Sequence, residues 1–202
     1  MSKYVIISGS TRQKSESSKV AGFVAKLIEE TDPGQGVELI DLSVANIPQW
    51  SEDFWGDEPP SLEWTEASTL LKQSEAIVIV SPEWNGMVPP ALMNIFLLAS
   101  KDELAHKPGL IVTVSSGEGG TYPVAQLRNY GAKNTRLVYI PDHVIIRDVC
   151  HVLNEGDPVS DTDKYLRERL SYSTKMLKVY AEAFVLIRQS GVYDRTSYPY
   201  GM

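Results

Sequence analysis

Short runs of apolar, mostly β-branched residues alternate along the chain with longer stretches in which apolar residues recur every three or four positions. A run that is apolar at every position suits a strand buried on both faces, whereas the wider spacing is that of a helix with one buried face. Strands alternating with helices imply right-handed crossovers. The pattern therefore predicts a three-layer α/β sandwich, in which helices cover both faces of a five-stranded parallel sheet with strands at residues 4–7, 37–40, 76–80, 110–114 and 137–140.

Five helices are predicted between and after these strands. The first carries Val20, Val24 and Leu27 at helical spacing and ends near an Asp-Pro-Gly sequence at residues 32–34, which is typical of helix ends. The last is the longest, and we expect its apolar stripe to pack within its own chain rather than against another subunit. The other helices are predicted at about residues 62–73, from the proline pair at 89–90, and at about 123–132, with the last at about 161–189.

Two stretches fall outside this alternation. Residues 46–61 are rich in Trp, Pro and acidic residues, and residues 142–160 include an apolar piece at 143–149 whose structure the pattern leaves open. No linker or internal repeat divides the chain. We therefore expect a single domain over residues 1–202, ending in a short tail at 191–202.

Charge and composition limit the partners. The net charge of −7 argues against nucleic acid and anionic membranes, because both attract basic proteins. No apolar run approaches the roughly 20 residues of a membrane span. The single cysteine excludes an internal disulfide, and the N-terminus lacks the pattern of a secretory signal. Cys150-His151 alone lacks the spacing of metal ligands. We expect a cytoplasmic protein with no metal site, no nucleic-acid partner and no membrane contact.

The loop after the first predicted strand is rich in groups that bind anions. Residues 8–18 contain six hydroxyls, a glycine and two cations, and they lead directly into the first helix. A helix N-terminus has unpaired N–H groups and the positive end of the dipole, and Arg12 offers two parallel donors to a phosphate. The alternative is a polar loop in which Ser15 or Ser17 caps the helix. The glycine patterns of dinucleotide and triphosphate sites are absent.

Two further loops follow the third and fourth predicted strands. Asn85-Gly86 permits a turn with positive φ beside Trp84, which offers a flat ligand a stacking surface and backbone donors. Three glycines within residues 117–120 let the backbone approach a ligand closely. Each loop alone is equally compatible with an ordinary turn. In a sheet of order 2-1-3-4-5, however, strands 1, 3 and 4 are neighbours, so the three loops would converge on one cleft.

The three loops resemble those of the NAD(P)H-dependent FMN reductase family, flavodoxin-like proteins that include azo-, quinone- and chromate-reducing enzymes. The family's phosphate loop, Gly-Ser-x-Arg-x-x-Ser, is present at residues 9–15. Its flavin loop, Pro-Glu-Tyr-Asn-Gly-x-x-Pro-x-x-Leu-Lys-Asn, matches residues 82–94 with two changes. A glycine loop at 117–120 is followed by Gln-Leu-Arg at 126–128. The resemblance covers about residues 3–141 in the right order.

This resemblance implies a flavodoxin-like fold with FMN as cofactor and NADPH or NADH as co-substrate. No residue is expected to act as acid or base, because the flavin carries the chemistry. Trp84 stands in place of the family's Tyr and still stacks, Ser17 in place of a frequent Asn and still donates, and Met93 in place of Lys. The implied FMN contacts are Ser10, Arg12, Ser15 and Ser17 at the phosphate, Pro82, Glu83, Trp84, Asn85 and Gly86 against the isoalloxazine ring, and Ser116, Gly117 and Gly120 on the far wall.

By the same resemblance, the protein would pass electrons from the nicotinamide through FMN to a small acceptor in a ping-pong reaction. The acceptor would be a quinone, an azo dye, free flavin or a metal oxyanion. Relatives are generally homodimers or homotetramers, and residues 50–55 would then wall the neighbouring flavin site. Two alternatives stay open: a flavodoxin-like electron carrier, whose usual Thr-x-Thr-Gly-x-Thr loop is absent here, and a flavin-binding interaction protein without turnover.

Overall fold

The computed structural model describes residues 2–56, 61–100, 102–194 and 196–198. Its centre is a five-stranded parallel sheet in the order β2-β1-β3-β4-β5, as predicted. The strands are β1 (Ser2–Ser8), β2 (Gly36–Asp41), β3 (Ala76–Pro82), β4 (Pro108–Val114) and β5 (Val138–Ile146). The helices are α1 (Glu16–Thr31), α2 (Leu62–Gln73), α3 (Pro90–Leu98), α4 (Thr121–Asn129), α5 (Ala132–Thr135) and α6 (Asp161–Gln189), with short 3-10 helices at Glu52–Trp55 and Val149–His151.

Helices cover both faces of the sheet because successive strand residues point to opposite sides. Tyr4 and Ile6 of β1 lie in the core shared with α1 and α6, whereas Val5 and Ile7 lie in the core shared with α2, α3 and α4. All seven residues of β3 and all seven of β4 are buried. β3 and β4 therefore have no solvent-exposed face, which explains the continuous apolar runs in their sequences. Burial of each large apolar side chain contributes about 1.5–3 kcal/mol.

α1, α2, α3 and α6 occupy the predicted stretches. α6 packs on its own chain, as expected, because Leu166, Leu170 and Leu177 belong to the core on the α1 side of the sheet. α1 ends where the Asp-Pro-Gly sequence begins, and the N–H of Asp32 donates to the carbonyl oxygen of Ile28 at 2.8 Å. Local periodicity and end signals were sufficient to place these four helices.

β5 differs from the prediction. The strand expected at residues 137–140 continues beyond them and takes in most of the apolar piece at 143–149. Its pairing with β4 shifts in register between Gly109 and Ile111, so β5 carries a bulge that contains Pro141. Proline has no N–H to donate, and it is tolerated where the ladder is already interrupted. The apolar pattern of the sequence predicted that the strand ends before Pro141. In the structure the strand continues beyond Pro141, because it still pairs with β4.

α4 is also displaced from its predicted position at about residues 123–132. It starts earlier and ends at Asn129, and the chain then turns through Gly131 into the single-turn helix α5. Gly131 has a φ of 79°, and a Cβ at this position would lie 2.9 Å from the ring of Phe96. The helix ends here because the left-handed backbone packs directly against α3, a contact that the local sequence does not reveal.

The segment between β5 and α6 is organised by a buried carboxylate. Asp163 is fully buried, and its oxygens accept the N–H groups of Leu153 at 2.8 Å and Val159 at 3.1 Å. Arg167 lies 3.1 Å from the same carboxylate and donates to the carbonyl oxygen of Asn154 at 2.6 Å. The segment is therefore fixed by side-chain bonds to α6 rather than by regular secondary structure.

The stretch predicted at residues 46–61 is described only in part. Asn94 of α3 is buried, donates to the carbonyl oxygen of Pro48 at 2.9 Å and accepts the N–H of Trp50 at 2.8 Å, which holds the stretch against α3. Residues 57–60, and residues 195 and 199–202 of the tail, lie outside the described part of the chain. No helix within the described ranges is long and apolar enough to cross a membrane.

Candidate functional site

The loops after β1, β3 and β4 meet at the carboxyl edge of the sheet around a cavity of about 300 Å³. Doubly wound sheets bind ligands at this position, and the volume lies at the lower end for small-molecule sites. Larger cavities of about 720 and 660 Å³ lie beside α1 and beside the C-terminal tail. Eight of the predicted site residues line the cavity at the strand ends: Ser10, Arg12, Ser15, Ser17, Pro82, Glu83, Trp84 and Ser116.

The loop after β1 both caps α1 and leaves groups for an anion. The side-chain oxygen of Ser15 accepts the N–H of Ser18 at 3.1 Å, which is the cap that the alternative interpretation required. Ser17 lines the cavity, is only 2 % exposed, and its hydroxyl has no hydrogen-bond partner among the described residues. Arg12 and Lys14 are exposed and form no ion pair with any described residue. A serine cap and groups that suit an anion therefore occur in the same loop.

Ser18 joins the start of α1 to the sheet, a structural role that the sequence pattern does not indicate. Its hydroxyl donates to Asp41 Oδ2 at 2.6 Å and lies 3.0 Å from Ser15 Oγ and 3.3 Å from Ser8 Oγ. These bonds join the start of α1 to the ends of β1 and β2. The composition of the loop showed many hydroxyls but not which of them face the sheet, because that depends on where β2 ends.

The turn after β3 has the predicted positive-φ geometry. Trp84 N–H donates to the Met87 carbonyl oxygen at 3.0 Å, and the reverse bond is 2.9 Å long. Asn85 has a φ of 51° and Gly86 a φ of 75°, the pair that a two-residue type I′ turn requires. Trp84 lines the cavity, whereas Asn85 and Gly86 are exposed outside its lining, and their N–H groups have no acceptor in the described chain.

Glu83 joins the loop after β3 to the loop after β4. Its N–H donates to the Val114 carbonyl oxygen at 2.9 Å, and its Oε2 accepts the N–H of Gly120 at 2.5 Å. Gly120 has a φ of 102°, and a Cβ there would lie 2.6 Å from Ile145 Cγ2. Gly120 thus supports Glu83 from behind instead of lining the cavity. Gly117 is exposed and is also absent from the lining.

A further wall of the cavity was not predicted. Val149 and Cys150, in the 3-10 helix after β5, contribute to the lining. Val149 N–H donates to the Ser115 carbonyl oxygen and Asp148 N–H to that of Gly117, both at 3.2 Å, so this segment runs beside the loop after β4. The signal that could have found it is the strand order, because β5 lies next to β4 and the residues after it reach the same edge.

The sheet order and the cavity at its switch point place the chain in the flavodoxin-like class of α/β proteins. Within that class it belongs to the NADPH-dependent FMN reductase family, which residues 2–149 match. The resemblance stated from the sequence is thereby confirmed. Membership implies FMN as the cofactor and a reduced nicotinamide as the co-substrate, and the free anion-binding groups at the start of α1 fit a cofactor with a single phosphate.

Individual relatives agree with this assignment. The chain is 30% identical over 121 residues to a quinone reductase of Pseudomonas putida, a match that spans 58% of this chain and only 62% of that protein. It is 24% identical over 181 residues to an NADPH azoreductase of a Bacillus species, spanning 89% and 95% of the two chains. FerB, an NAD(P)H:(acceptor) oxidoreductase of Paracoccus denitrificans, superposes with a TM-score of 0.69 at 19% identity over 89% of this chain and 99% of FerB. This structural likeness supports the fold.

Gly120→Ala is expected to lower the free energy of unfolding by about 2–4 kcal/mol, because the left-handed backbone and the contact with Ile145 each penalise a Cβ. Gly117→Ala, in the same loop, is the control: a Cβ there meets nothing within 4 Å, and a change below about 0.5 kcal/mol is expected. Urea unfolding of the two apoproteins measures both values. Equal stability of the two variants would contradict the packing role given to Gly120.

Proposed function

We propose that the protein is an FMN-dependent oxidoreductase that takes electrons from NADPH or NADH and passes them to a small acceptor. The observation that carries the proposal is the cavity at the switch point, where the unpartnered hydroxyl of Ser17 and the N-terminus of α1 lie beside Arg12. These groups suit a phosphate monoester. Trp84, on the same cavity, supplies a flat apolar surface for a ring system.

Each loop has a distinct part in this proposal. When bound, FMN supplies the chemistry, accepting a hydride from the nicotinamide and returning electrons to the acceptor, so the chain needs no acid or base of its own. The chain's task is to bind and orient the ring. The proposed contacts are Ser10, Arg12, Ser15 and Ser17 for the phosphate, Pro82, Glu83 and Trp84 for the ring, the N–H groups of Asn85 and Gly86 for its polar edge, and Ser116 and Gly117 for the far side, with Gly120 acting through Glu83.

Quinones and azo compounds are the proposed acceptors, together with free flavin and metal oxyanions. The quinone reductase of Pseudomonas putida and the azoreductase of the Bacillus species carry these activities in their names. A small cavity with an aromatic turn at its rim favours planar acceptors that meet the ring face to face. We propose the cytoplasm as the place of action, because reduced nicotinamides are produced there.

We further propose that the protein is a homodimer or homotetramer. Leu97 of α3 and Tyr122 of α4 are 67% and 70% exposed, and Met87 in the neighbouring turn is 51% exposed. The N–H of Val88 donates to Gln126 Oε1 at 2.8 Å, so the turn and α4 lie side by side. Apolar residues exposed on adjacent elements suit a self-complementary interface. In such an assembly residues 50–55 would wall the neighbouring site, although the side chain of Trp55 lies outside the described structure.

The purified protein should release FMN on denaturation, and either NADPH or NADH should bleach the bound flavin under anaerobic conditions. Because both substrates would meet the same exposed ring face in turn, double-reciprocal plots against a nicotinamide and a small quinone should give parallel lines. Intersecting lines would indicate a ternary complex. FMN that neither nicotinamide reduces would move the protein to the electron-carrier or interaction class.

Arg12→Glu should weaken FMN binding by at least about 2 kcal/mol, since a charge-assisted bond to the phosphate is lost and repulsion is added. Lys26→Glu is the control, because it makes the same change of charge on α1 at an exposed position outside the cavity lining. Titration of the two apoproteins with FMN gives both dissociation constants. An unchanged constant for Arg12→Glu would leave helix capping as the role of this loop.

Leu97→Glu should shift the protein towards the monomer, because a carboxylate would have to be buried in the proposed interface. Leu62→Glu is the matched control, because Leu62 is 70% exposed at the start of α2 and is not among the residues of the proposed interface. Light scattering at micromolar concentration reports the mass of each variant. A wild-type protein with the mass of one chain would reject the oligomer.

A further inference from the structure

One lysine connects the two sides of the proposed cofactor cavity. Lys19 Nζ donates to the carbonyl oxygens of Val149 at 2.6 Å and Val152 at 3.1 Å, and to Asn154 Oδ1 at 2.9 Å. These acceptors are as many as the three protons of an ammonium group, and the same Nζ also forms an ion pair with Glu16. The three acceptors all belong to segment 149–154, which lies about 130 residues further along the chain.

The position of Lys19 gives this contact its significance. Lys19 lies one turn beyond Ser15, on the helix whose N-terminus forms the proposed phosphate site. Segment 149–154 begins with Val149 and Cys150, which line the same cavity. The far end of the segment is held separately, because Asp163 accepts the N–H of Leu153. Lys19 therefore attaches segment 149–154 to α1, and it does so at Val149, where the segment lines the cavity.

Lys19 also affects the charge of the cavity. Glu16 is one of the residues that line the cavity, and its carboxylate lies 2.5 Å from Lys19 Nζ. Without the lysine, Glu16 would place an uncompensated negative charge beside the proposed phosphate site. A substitution of Lys19 thus removes both the tether of the wall and the neutralisation of Glu16, and an experiment has to separate the two effects.

We propose that Lys19 is a positioning residue for FMN: it holds segment 149–154 in place as one wall of the cofactor cavity. The proposal rests on the proposed function, since it takes FMN as the occupant. Lys19 acts through the wall and touches neither the reacting ring nor the acceptor. The role is independent of the phosphate contacts, because the tether carries Val149 and Cys150 from the other side of the cavity.

Lys19→Met preserves the length and apolar stem of the side chain but removes all three donors. FMN titration of the apoprotein is expected to give a dissociation constant at least about tenfold above that of the wild type, because several hydrogen bonds that fix the wall are lost. Lys26→Met is the control: Lys26 lies on the same helix, is exposed and has no hydrogen bond in the described structure. Its dissociation constant should match the wild type.

The double variant Glu16→Gln, Lys19→Met separates the tether from the charge. If Lys19 acts only by neutralising Glu16, removing both charges restores wild-type affinity, and the proposal is overturned. If Lys19 holds the wall, the double variant stays weak.

Cys150 gives a second readout that a general loss of stability does not imitate. It is the single cysteine of the chain, is exposed and lines the cavity, so iodoacetamide labelling followed by mass spectrometry reports on the wall alone. In the wild-type apoprotein added FMN should slow the alkylation of Cys150. In Lys19→Met saturating FMN should protect Cys150 less, because the wall is no longer held beside the bound cofactor.

The outcomes distinguish this proposal from the proposed function. A wild-type dissociation constant for Lys19→Met, or FMN protection of Cys150 equal to that in the wild type, would overturn the positioning role. If the wild-type apoprotein bound no FMN, the proposed function would fail. The positioning role would then fail with it, since it takes FMN as the occupant of the cavity.

Discussion

Backbone hydrogen bonds join neighbouring strands of this protein at their carboxyl ends, and the rest of the site depends on these bonds. The N–H of Gly9 donates to the carbonyl oxygen of Val80 at 2.8 Å, and the N–H of Glu83 to that of Val114 at 2.9 Å. The carboxyl ends of β1, β3 and β4 therefore lie side by side, and the loops that follow them leave the sheet at one edge. A Cβ on Gly9 would lie 2.6 Å from Leu92 Cδ2, so this first residue beyond β1 must remain small for α3 to pack there. Because β3 and β4 are buried at every position, the edge is rigid.

On this rigid edge the polar groups divide into two sets. Ser18 donates to Asp41 and Glu83 accepts the N–H of Gly120, so both side chains are bonded within the protein and fix the loops. Arg12 is exposed and unpaired among the described residues, although the chain as a whole carries a net charge of −7. A local cation at a helix N-terminus can attract an anion in a protein that is acidic overall, because the local field near the site outweighs the more distant charges. The groups that fix the loops are thus separate from the donors that remain available, which suits the proposed binding of an anion in this cavity.

The fold was predictable to the extent that it is encoded in local periodicity. Apolar runs and spacings within the local sequence were sufficient to predict eight elements, namely the strands β1 to β4 and the helices α1, α2, α3 and α6. The turn at Asn85-Gly86 also follows from its own two residues. The rest depended on contacts between distant residues. The bulge at Pro141 exists because β4 continues to pair beyond it, and the break at Gly131 exists because the chain packs against Phe96.

The same division applies to the site. The sequence by itself determined which loops meet, because strand order and motif place residues 9–15 and 82–86 at one edge. Only the tertiary structure decided what each residue does there: that Gly120 supports Glu83 from behind, and that the segment at Val149 closes a wall. The physical reason is that a strand's direction and end are local properties of its sequence. Which donor finds which acceptor depends on chain segments that folding brings together from more than a hundred residues apart.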